Sequence, residues 1–274
     1  MKISERAYKK VYYQFCKLII SQTPCKLPTE YEHKLNLFIY FDYEREFGGH
    51  KTNISDRNIF DLLDELNTYG IKTTWFIVGK IFEKYPDSIK EISRNCHEIA
   101  SHSFGHKAPF RISGNLLKND FELFEKSNNS AVKSIGFHSP NGLWSLSLLK
   151  NLKRYNYIYD VIGIKTNETT VPLLLHNKKA RNIVRLKTLG DDWPLYNRQY
   201  TESEVFHLLT GKIEGIKAHY PAGIGFHPWI LFSDPEIYNG FRRFIKTISK
   251  NSEYNIRTAS NFAEVLLKNS ENKK

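Results

Sequence analysis

The sequence has few cysteines, and they lack the spacing of a redox or disulfide motif. Three cysteines, Cys16, Cys25 and Cys96, occur in 274 residues, and no Cys-x-x-Cys pair is present. An odd number argues against a disulfide framework. We therefore expect buried thiols in a reducing compartment, with Cys96 packed in the core near the start of a strand.

Long apolar runs are also missing. No run approaches the about 20 residues that span a bilayer. The partly apolar stretch 11–20 is interrupted by Lys17 and is not followed by a small-residue cleavage site, so it makes a poor signal peptide. An amphipathic helix that docks on the rest of the protein, or on a membrane face, is favoured. We expect a cytoplasmic protein, with peripheral contact to the anionic inner face of the membrane as an extension of that expectation.

Acidic residues are outnumbered by basic ones, 29 to 40, which gives a net charge of +11. The basic residues are scattered, and the densest patch is the tail 268–274. This distribution favours a soluble enzyme with a basic surface over a nucleic acid, membrane or phosphate-bearing partner. No basic stripe interleaved with aromatic residues is present, so no nucleic-acid partner is expected.

Apolar runs alternate with helical patterns along most of the chain, which predicts a parallel α/β architecture. The predicted units are a helical extension (1–34), one α/β domain (35–267) and a basic tail (268–274). Strands are expected near 35–41, 71–78, 98–101, 133–137, 157–162, 182–187, 222–226 and 256–258. Helices are expected near 4–21, 55–69, 80–94, 114–129, 145–154, 202–217 and 235–250 and from residue 260, with a loop at 165–182.

His102 and His106 are the first candidates for chemistry. They lie four residues apart after a predicted strand, and this spacing can put two imidazoles on one side of a turn or helical segment. Two neutral imidazoles and one carboxylate would leave open positions on a divalent metal, as in catalytic rather than structural sites.

Carboxylates follow another predicted strand. Strand alternation points Asp42 and Glu44 to the same side, so one could bind the metal while the other acts as a general base. His227, at a later strand end, is a natural general acid. Asp191 or Asp192 could pair with an imidazole and raise its pKa.

In this order the motifs resemble those of the polysaccharide deacetylase family, the NodB-homology domains of carbohydrate esterase family 4. The resemblance covers residues 35–265. Its most specific part is His-Glu-Ile-Ala-Ser-His-Ser-Phe-Gly-His at 97–106. The other matching segments are Phe-Asp-Tyr-Glu (41–44), Thr-Trp-Phe-Ile-Val-Gly (74–79), Gly-Phe-His-Ser-Pro-Asn-Gly (136–142), Asp-Asp-Trp (191–193) and Phe-His-Pro (226–228).

The resemblance implies a deformed (β/α)7 barrel and a metal-dependent amide hydrolase. By carry-over, Asp42 would be the general base and His227 the general acid. Glu44, His102 and His106 would hold the metal, usually zinc and sometimes cobalt, nickel or manganese. The backbone N–H of Asn141 would stabilise the oxyanion beside the metal. Substrate contacts are expected from His138, Pro140, Trp193 and Trp229, and a contribution to catalysis from Asp191 and Asp192.

Two positions depart from the commoner family pattern. Tyr43 stands where the common form has a metal-binding Asp, as in an Asp-x-Glu branch, so the third ligand is Glu44. His138 replaces an Arg that contacts the catalytic carboxylate.

The resulting hypothesis is an enzyme that removes an N-acetyl or other N-acyl group from an amino sugar, an oligosaccharide or a lipid-linked glycan precursor. Two alternatives stay open: a cyclic-amide hydrolase like the allantoinase-like branch, and a degenerate barrel that binds a glycan without turnover.

Overall fold

Seven parallel strands close into a barrel with helices on its outside. The structure is a computed structural model that describes residues 5–128, 133–163, 170–176, 182–214 and 219–271. Its strands are β1 (Gln22–Pro24), β2 (Leu35–Tyr43), β3 (Thr74–Ile77), β4 (Glu98–Ser101), β5 (Gly136–His138), β6 (Tyr159–Gly163), β7 (Leu173–Leu175), β8 (Ile183–Thr188), β9 (Ala222–Phe226) and β10 (Tyr254–Ile256). Its α-helices are α1 (Glu5–Ile19), α2 (Asp56–Thr68), α3 (Lys80–Lys84), α4 (Pro86–Arg94), α5 (Gly114–Ser127), α6 (Leu146–Arg154), α7 (Glu202–Glu214), α8 (Pro228–Leu231), α9 (Pro235–Lys250) and α10 (Ala259–Glu271).

The barrel ring runs in the order β2, β3, β4, β5, β6, β8 and β9, and β9 pairs again with β2. Every pairing in the ring is parallel, so the carboxyl ends of its strands meet at one rim. The ring is irregular, because β4 and β5 share a single register pair, Ser101 with Phe137. This is the deformed (β/α)7 barrel that the family resemblance implies, and the α/β class predicted from the alternation of elements is confirmed.

Alternation along β2 separates the two sides of the barrel wall. Phe38 and Tyr40 point into the barrel, where Tyr40 packs edge-on against Phe76 with 5.5 Å between ring centroids. Phe41 points outward and packs against the surrounding helices. Gly225 of β9 makes room for Tyr40, since a Cβ at this position would lie 2.4 Å from the Tyr40 ring.

Helix α10 closes the amino-terminal end of the barrel. Its first residues donate backbone hydrogen bonds to the start of two strands, Ala259 to the Thr74 hydroxyl (2.9 Å) and Ser260 to Glu98 (3.0 Å). Phe262 then packs in the barrel interior. This end is filled by side chains, so the opposite rim is left for chemistry. The helix extends to Glu271, so the predicted basic tail begins within it; residues 272–274 lie outside the described residues.

Most predicted elements are confirmed to within a few residues, and two predicted helix starts are confirmed in detail. Ser55 accepts a hydrogen bond from the Asn58 N–H (3.3 Å) at the start of α2. Thr201 and Glu204 form the predicted capping box of α7, with reciprocal hydrogen bonds of 2.8 and 3.3 Å. The end predicted for this helix, at residue 217, lies outside the described residues.

Some boundaries differ from the prediction. Strand β2 continues through Asp42 to Tyr43 instead of stopping before the acidic residues. The helix predicted at 80–94 is two helices, because Pro86 lacks an N–H and starts a new one. The loop predicted at 165–182 contains β7, which pairs antiparallel with β1 and β8. Both β1 and β7 are antiparallel additions outside the alternation of strands and helices, so the sequence analysis missed them. Residues 164–169 and 177–181 lie outside the described residues.

The cysteines divide into two groups. Cys16 and Cys25 are buried, as predicted, but Cys96 is exposed, so its expected place in the core is wrong. Cys96 lies in the tight turn after α4 with a positive φ of 57°, and that turn directs its side chain to solvent.

Helix α1 confirms the helix predicted at 4–21 and lies against the outside of the barrel. Tyr13 stacks on Trp144 with 4.8 Å between ring centroids. In the part of the chain that the structure describes, no helix combines the length and apolar character required to cross a bilayer.

Candidate metal and catalytic site

Two buried carboxylates stand at the carboxyl end of β2. Asp42 and Glu44 both face the histidines of the rim, as strand alternation predicts. Tyr43 points the other way: its hydroxyl lies 2.9 Å from the Ser88 hydroxyl and accepts a hydrogen bond from Arg45 (2.8 Å). Tyr43 therefore anchors the strand end in the outer wall and leaves the rim to its two neighbours.

The loop after β4 brings His102 and His106 to Glu44. The Nε2 atoms of the two rings lie 3.3 and 2.9 Å from the same oxygen, Glu44 Oε1. The loop is a turn rather than a helix, because Ser103 and His106 have positive φ angles of 65° and 54°. The four-residue spacing therefore brings the two imidazoles together through a turn with left-handed residues, and not through a helix.

Asp120 on α5 holds this loop in place. Its carboxylate is buried and accepts hydrogen bonds from the N–H groups of Phe104 (2.8 Å) and Gly105 (3.1 Å). The sequence analysis missed Asp120. An acidic residue on the buried face of α5, next to Phe121, was the signal that could have found it.

Glu44, His102 and His106 fit a single divalent cation. Donors bound tetrahedrally to zinc at about 2.0–2.1 Å lie about 3.3 Å from one another, which is close to the separations seen here. His106 Nε2 is buried and, among the described residues, has no hydrogen-bond partner, although it lies 2.9 Å from Glu44. A lone pair that makes no hydrogen bond is what a metal ligand requires.

The protonation states of His102 and Glu44 also suit metal binding. Burial lowers the pKa of His102, which keeps the ring neutral. Burial alone would raise the pKa of Glu44, but the adjacent imidazoles of His102 and His106 hold it well below its ordinary value. The Nδ1–H of His102 donates to the His138 carbonyl (2.9 Å), which leaves Nε2 free to bind.

Asp42, His102 and His138 form a second group with donor atoms close together. Its imidazole nitrogens are engaged, because His138 Nδ1 lies 2.9 Å from Asp42 Oδ1 and His102 Nδ1 faces a carbonyl. The first group therefore fits a metal better. The His138 ring is held between Tyr40 (5.1 Å) and Phe76 (5.3 Å).

His227 faces the carboxylates from the other side of the rim. Its Nε2 lies 3.9 Å from Asp42 and 3.8 Å from Glu44. Asp192 binds it twice, with 2.7 Å to the ring Nδ1 and a hydrogen bond of 2.8 Å from the backbone N–H. Burial disfavours the charged ring, but Asp192 and the other two carboxylates raise the pKa of His227 to about 10.

Of the two aspartates considered for pairing with an imidazole, the structure places Asp192 there. Asp191 accepts a hydrogen bond from the Trp193 N–H (3.1 Å) and so stabilises the turn that presents Asp192. Its predicted part in catalysis stays a prediction.

Aromatic rings line the rim beside His227. Trp193 is half exposed and lies 6.3 Å from the His227 ring, while Trp229 is buried 5.8 Å from it. The sequence analysis missed two neighbours, His50, which stacks on Trp229 at 5.0 Å, and Tyr196, which lies 5.1 Å from the same ring. His50 comes from the loop after β2 and Tyr196 from the turn that carries Trp193, and no local pattern marked either residue.

Pro140 and Asn141 form a short 3₁₀ turn after β5. Pro140 is buried, and Asn141 has a left-handed conformation with φ of 57°. The roles predicted for the Asn141 N–H and for Pro140 stay predictions.

Residues 38–160, from β2 into β6, match the family model described as Polysaccharide deacetylase. Two curated relatives from Bacillus cereus, both named peptidoglycan-N-acetylglucosamine deacetylase, are 29% identical over 68 residues and 26% identical over 141 residues. These alignments cover 25% and 48% of this chain. The aligned part spans 25% and 66% of the relatives' own lengths.

Solved structures share the fold at low sequence identity. A Mycobacterium smegmatis protein described as a polysaccharide deacetylase is 17% identical, with a TM-score of 0.73 over 90% of this chain and 94% of the other. An allantoinase is 14% identical, with a TM-score of 0.69 over 89% and 93%. A family 4 acetyl xylan esterase from Clostridium thermocellum, solved with cobalt, is 15% identical, with a TM-score of 0.58 over 84% and 91%.

The motif residues gather at one rim of a barrel of this type, and the family model matches the segment that contributes most of them. Residues 38–160 of the chain are therefore similar to the polysaccharide deacetylase family, and the whole barrel shares the fold of its solved members.

Proposed function

We propose that this protein is a metal-dependent hydrolase that removes the N-acetyl group from an amino sugar of a glycan. One observation carries the proposal. The Glu44–His102–His106 group, the carboxylate of Asp42 and the imidazole of His227 converge within 4 Å at one barrel rim. This arrangement supports a mechanism in which a metal site, a base and an acid surround one reaction centre.

The metal site would supply a Lewis acid for the reaction. A divalent cation held by Glu44, His102 and His106, most simply zinc, would polarise the acyl carbonyl and lower the pKa of a water molecule towards about 7. The chain contributes a charged Glu44 carboxylate and a neutral His102 ring that the His138 carbonyl fixes in place.

Asp42 is the general base. Burial would raise its pKa, but the imidazoles of His138 and His102 lower it, so the carboxylate is charged at neutral pH. It takes the proton of the attacking water as the new C–O bond forms. His138 stands where the family commonly has Arg, and its ring at 2.9 Å orients one carboxylate oxygen.

His227 is the general acid. Its pKa of about 10 keeps it protonated at neutral pH, and Asp192 fixes which nitrogen faces the reaction centre. When the C–N bond breaks, Nε2 gives its proton to the departing amine, and the products are acetate and a free amino sugar.

The substrate class follows from the rim and from the relatives. Trp193 and Trp229 offer flat apolar faces beside the acid, and such faces suit the C–H face of a sugar ring. Both B. cereus relatives are named for deacetylation of N-acetylglucosamine in peptidoglycan. An N-acetylglucosamine unit of a glycan is therefore the first substrate to test.

The test measures acetate release from N-acetylglucosamine oligosaccharides and peptidoglycan fragments, with zinc or cobalt added. We expect Asp42→Asn to lose about 10²–10⁴-fold of the rate while it binds metal as the wild type does. Asp64→Asn, an exposed acid on α2, is the matched control and should keep full activity.

Three outcomes would overturn the proposal. Release of no acetate from any amino sugar in the presence of metal would remove the enzymatic assignment. Opening of allantoin without deacetylation would support the cyclic-amide alternative. Glycan binding that is unaffected by Asp42→Asn and produces no turnover would identify a binding barrel.

A further inference from the structure

Helix α1 has two apolar faces, and the barrel covers one of them. The covered face holds Tyr12, Tyr13 and Cys16. Tyr13 stacks on Trp144, and the Tyr12 hydroxyl accepts a hydrogen bond from the Leu146 N–H (2.9 Å). These contacts fix the helix and its orientation on the barrel.

The other apolar face is open. It consists of Tyr8, Val11, Phe15, Leu18 and Ile19, here called the α1 stripe, whose side chains are between 52% and 85% exposed. At 100° per residue they fall within an arc of about 100°, the width of an apolar helix face. Elsewhere in the described residues the exposed large hydrophobics are Leu116, Leu123 and Trp193. Single exposed hydrophobics are ordinary, but five on one helix face mark an interaction surface.

The positive charge around the α1 stripe indicates which kind of partner it binds. Residues 7–29 contain four lysines and no acidic residue. Three of the lysines, Lys9, Lys10 and Lys17, are on α1, and Lys10 is exposed. A helix with an apolar stripe beside lysines fits a surface of acyl chains below anionic headgroups. A second copy of the chain is disfavoured, because a two-fold contact through this face would bring the same lysines together.

We propose that the α1 stripe is a docking site for anionic phospholipid membranes. The stripe enters the acyl–headgroup boundary, and the lysines contact the anionic headgroups. The ring of Phe110 lies 5.8 Å from Tyr8 and 5.3 Å from Tyr12. Phe110 follows the metal-site residue His106 by four positions, so docking holds that part of the barrel rim close to the headgroup layer.

Vesicle co-sedimentation of the full chain tests the proposal. One set of vesicles contains phosphatidylcholine alone, and a second contains equal parts of phosphatidylcholine and phosphatidylglycerol. We expect binding to the second set only. The variant Val11→Gln/Phe15→Gln/Leu18→Gln should bind at least about tenfold more weakly, since it removes most of the buried apolar area. The variant Leu116→Gln/Leu123→Gln, on α5, is the matched control and should bind as the wild type does.

Four results would overturn it: no binding of the wild type to anionic vesicles, equal binding to both vesicle sets, unchanged binding of the stripe variant, or a dimer that the stripe variant converts to a monomer without any vesicle binding. The last result would assign the stripe to a second copy of the chain. Circular-dichroism melting shows whether each variant is folded. Since the measurement requires no turnover, its outcome is independent of the proposed deacetylation.

Discussion

His102 and His227 face the same carboxylate from two sides of the rim, yet they have opposite proton affinities. Their Nε2 atoms lie 3.3 and 3.8 Å from Glu44 Oε1. The pKa of His102 is lowered by burial, whereas that of His227 is raised to about 10. In the proposed mechanism, the metal side (Glu44, His102, His106) and the acid side (Asp192, His227) would use the same residue type for opposite tasks.

The group that contacts Nδ1 of each ring explains the difference between the two pKa values. His102 Nδ1 donates to a neutral carbonyl, that of His138, which sets the tautomer without adding charge. His227 Nδ1 faces the carboxylate of Asp192, which favours the charged imidazolium. In the proposed site, the carbonyl partner leaves His102 neutral and able to bind a metal, whereas the carboxylate partner keeps His227 protonated and able to act as an acid.

Removing a ligand from the metal side should have the largest effect. We expect His106→Ala to weaken zinc binding by more than about 100-fold, because it removes a donor rather than a supporting hydrogen bond. His219→Ala, an exposed histidine away from the rim, is the control. Metal content after dialysis, with a competition titration, measures both. Equal zinc affinity in His106→Ala and the control would contradict the assignment of His106.

Replacing the Asp192 carboxylate with a neutral amide should lower the pKa of His227, so that this ring resembles His102. In the wild type, the raised pKa means that the pairing stabilises the fold fully below pH 6.5 and that this contribution is lost as pH rises through about 10. We expect Asp192→Asn to move the His227 pKa from about 10 to its ordinary range or below. The alkaline limb of the rate profile should then shift to lower pH, and the rate at neutral pH should fall about 10²-fold.

Titration of the imidazole by NMR in metal-free Asp192→Asn tests this directly. Zinc affinity should change little, which separates the two sides of the site. A His227 that still titrates near pH 10 in the variant would show that Asp192 is not the cause of its raised pKa.

A substitution at Gly48, in the loop after β2, should have a smaller effect on zinc affinity. A Cβ at Gly48 would lie 2.2 Å from Glu44 Oε2, so Gly48→Ala should push the carboxylate away from His102 and His106. We expect zinc affinity to fall about 10-fold while the pH profile of His227 is unchanged. Gly211→Ala, where a Cβ meets nothing within 4 Å, is the matched control. Equal zinc affinity in the two variants would show that the Glu44 position is not critical.

The local patterns predicted much of the barrel and the order of its motifs. β4 and β9 have the expected limits, 98–101 and 222–226, because each is a short apolar run ended by a histidine motif. The common orientation of Asp42 and Glu44 followed from strand alternation alone. These features depend on neighbours in the sequence, and that is why they could be predicted.

Other features depend on contacts between distant segments. Asp120 reaches the histidine loop across 16 residues, and His50 reaches Trp229 across the barrel rim. The strand β7 forms against β8, and β1 forms against β7, so each depends on a partner that is distant in the sequence. Periodicity can mark such a residue as buried, as it does Asp120, but it does not identify the distant partner, so the sequence analysis missed these contacts.

The sequence by itself determined the order of the strands, the residue types at their carboxyl ends and the side of β2 on which the carboxylates lie. The tertiary structure decided which histidine faces a carbonyl and which a carboxylate, and with that the proton each one holds. The physical reason is range: alternation and capping act over a few residues, whereas the pKa of a buried imidazole is set by the charge that the fold places beside it.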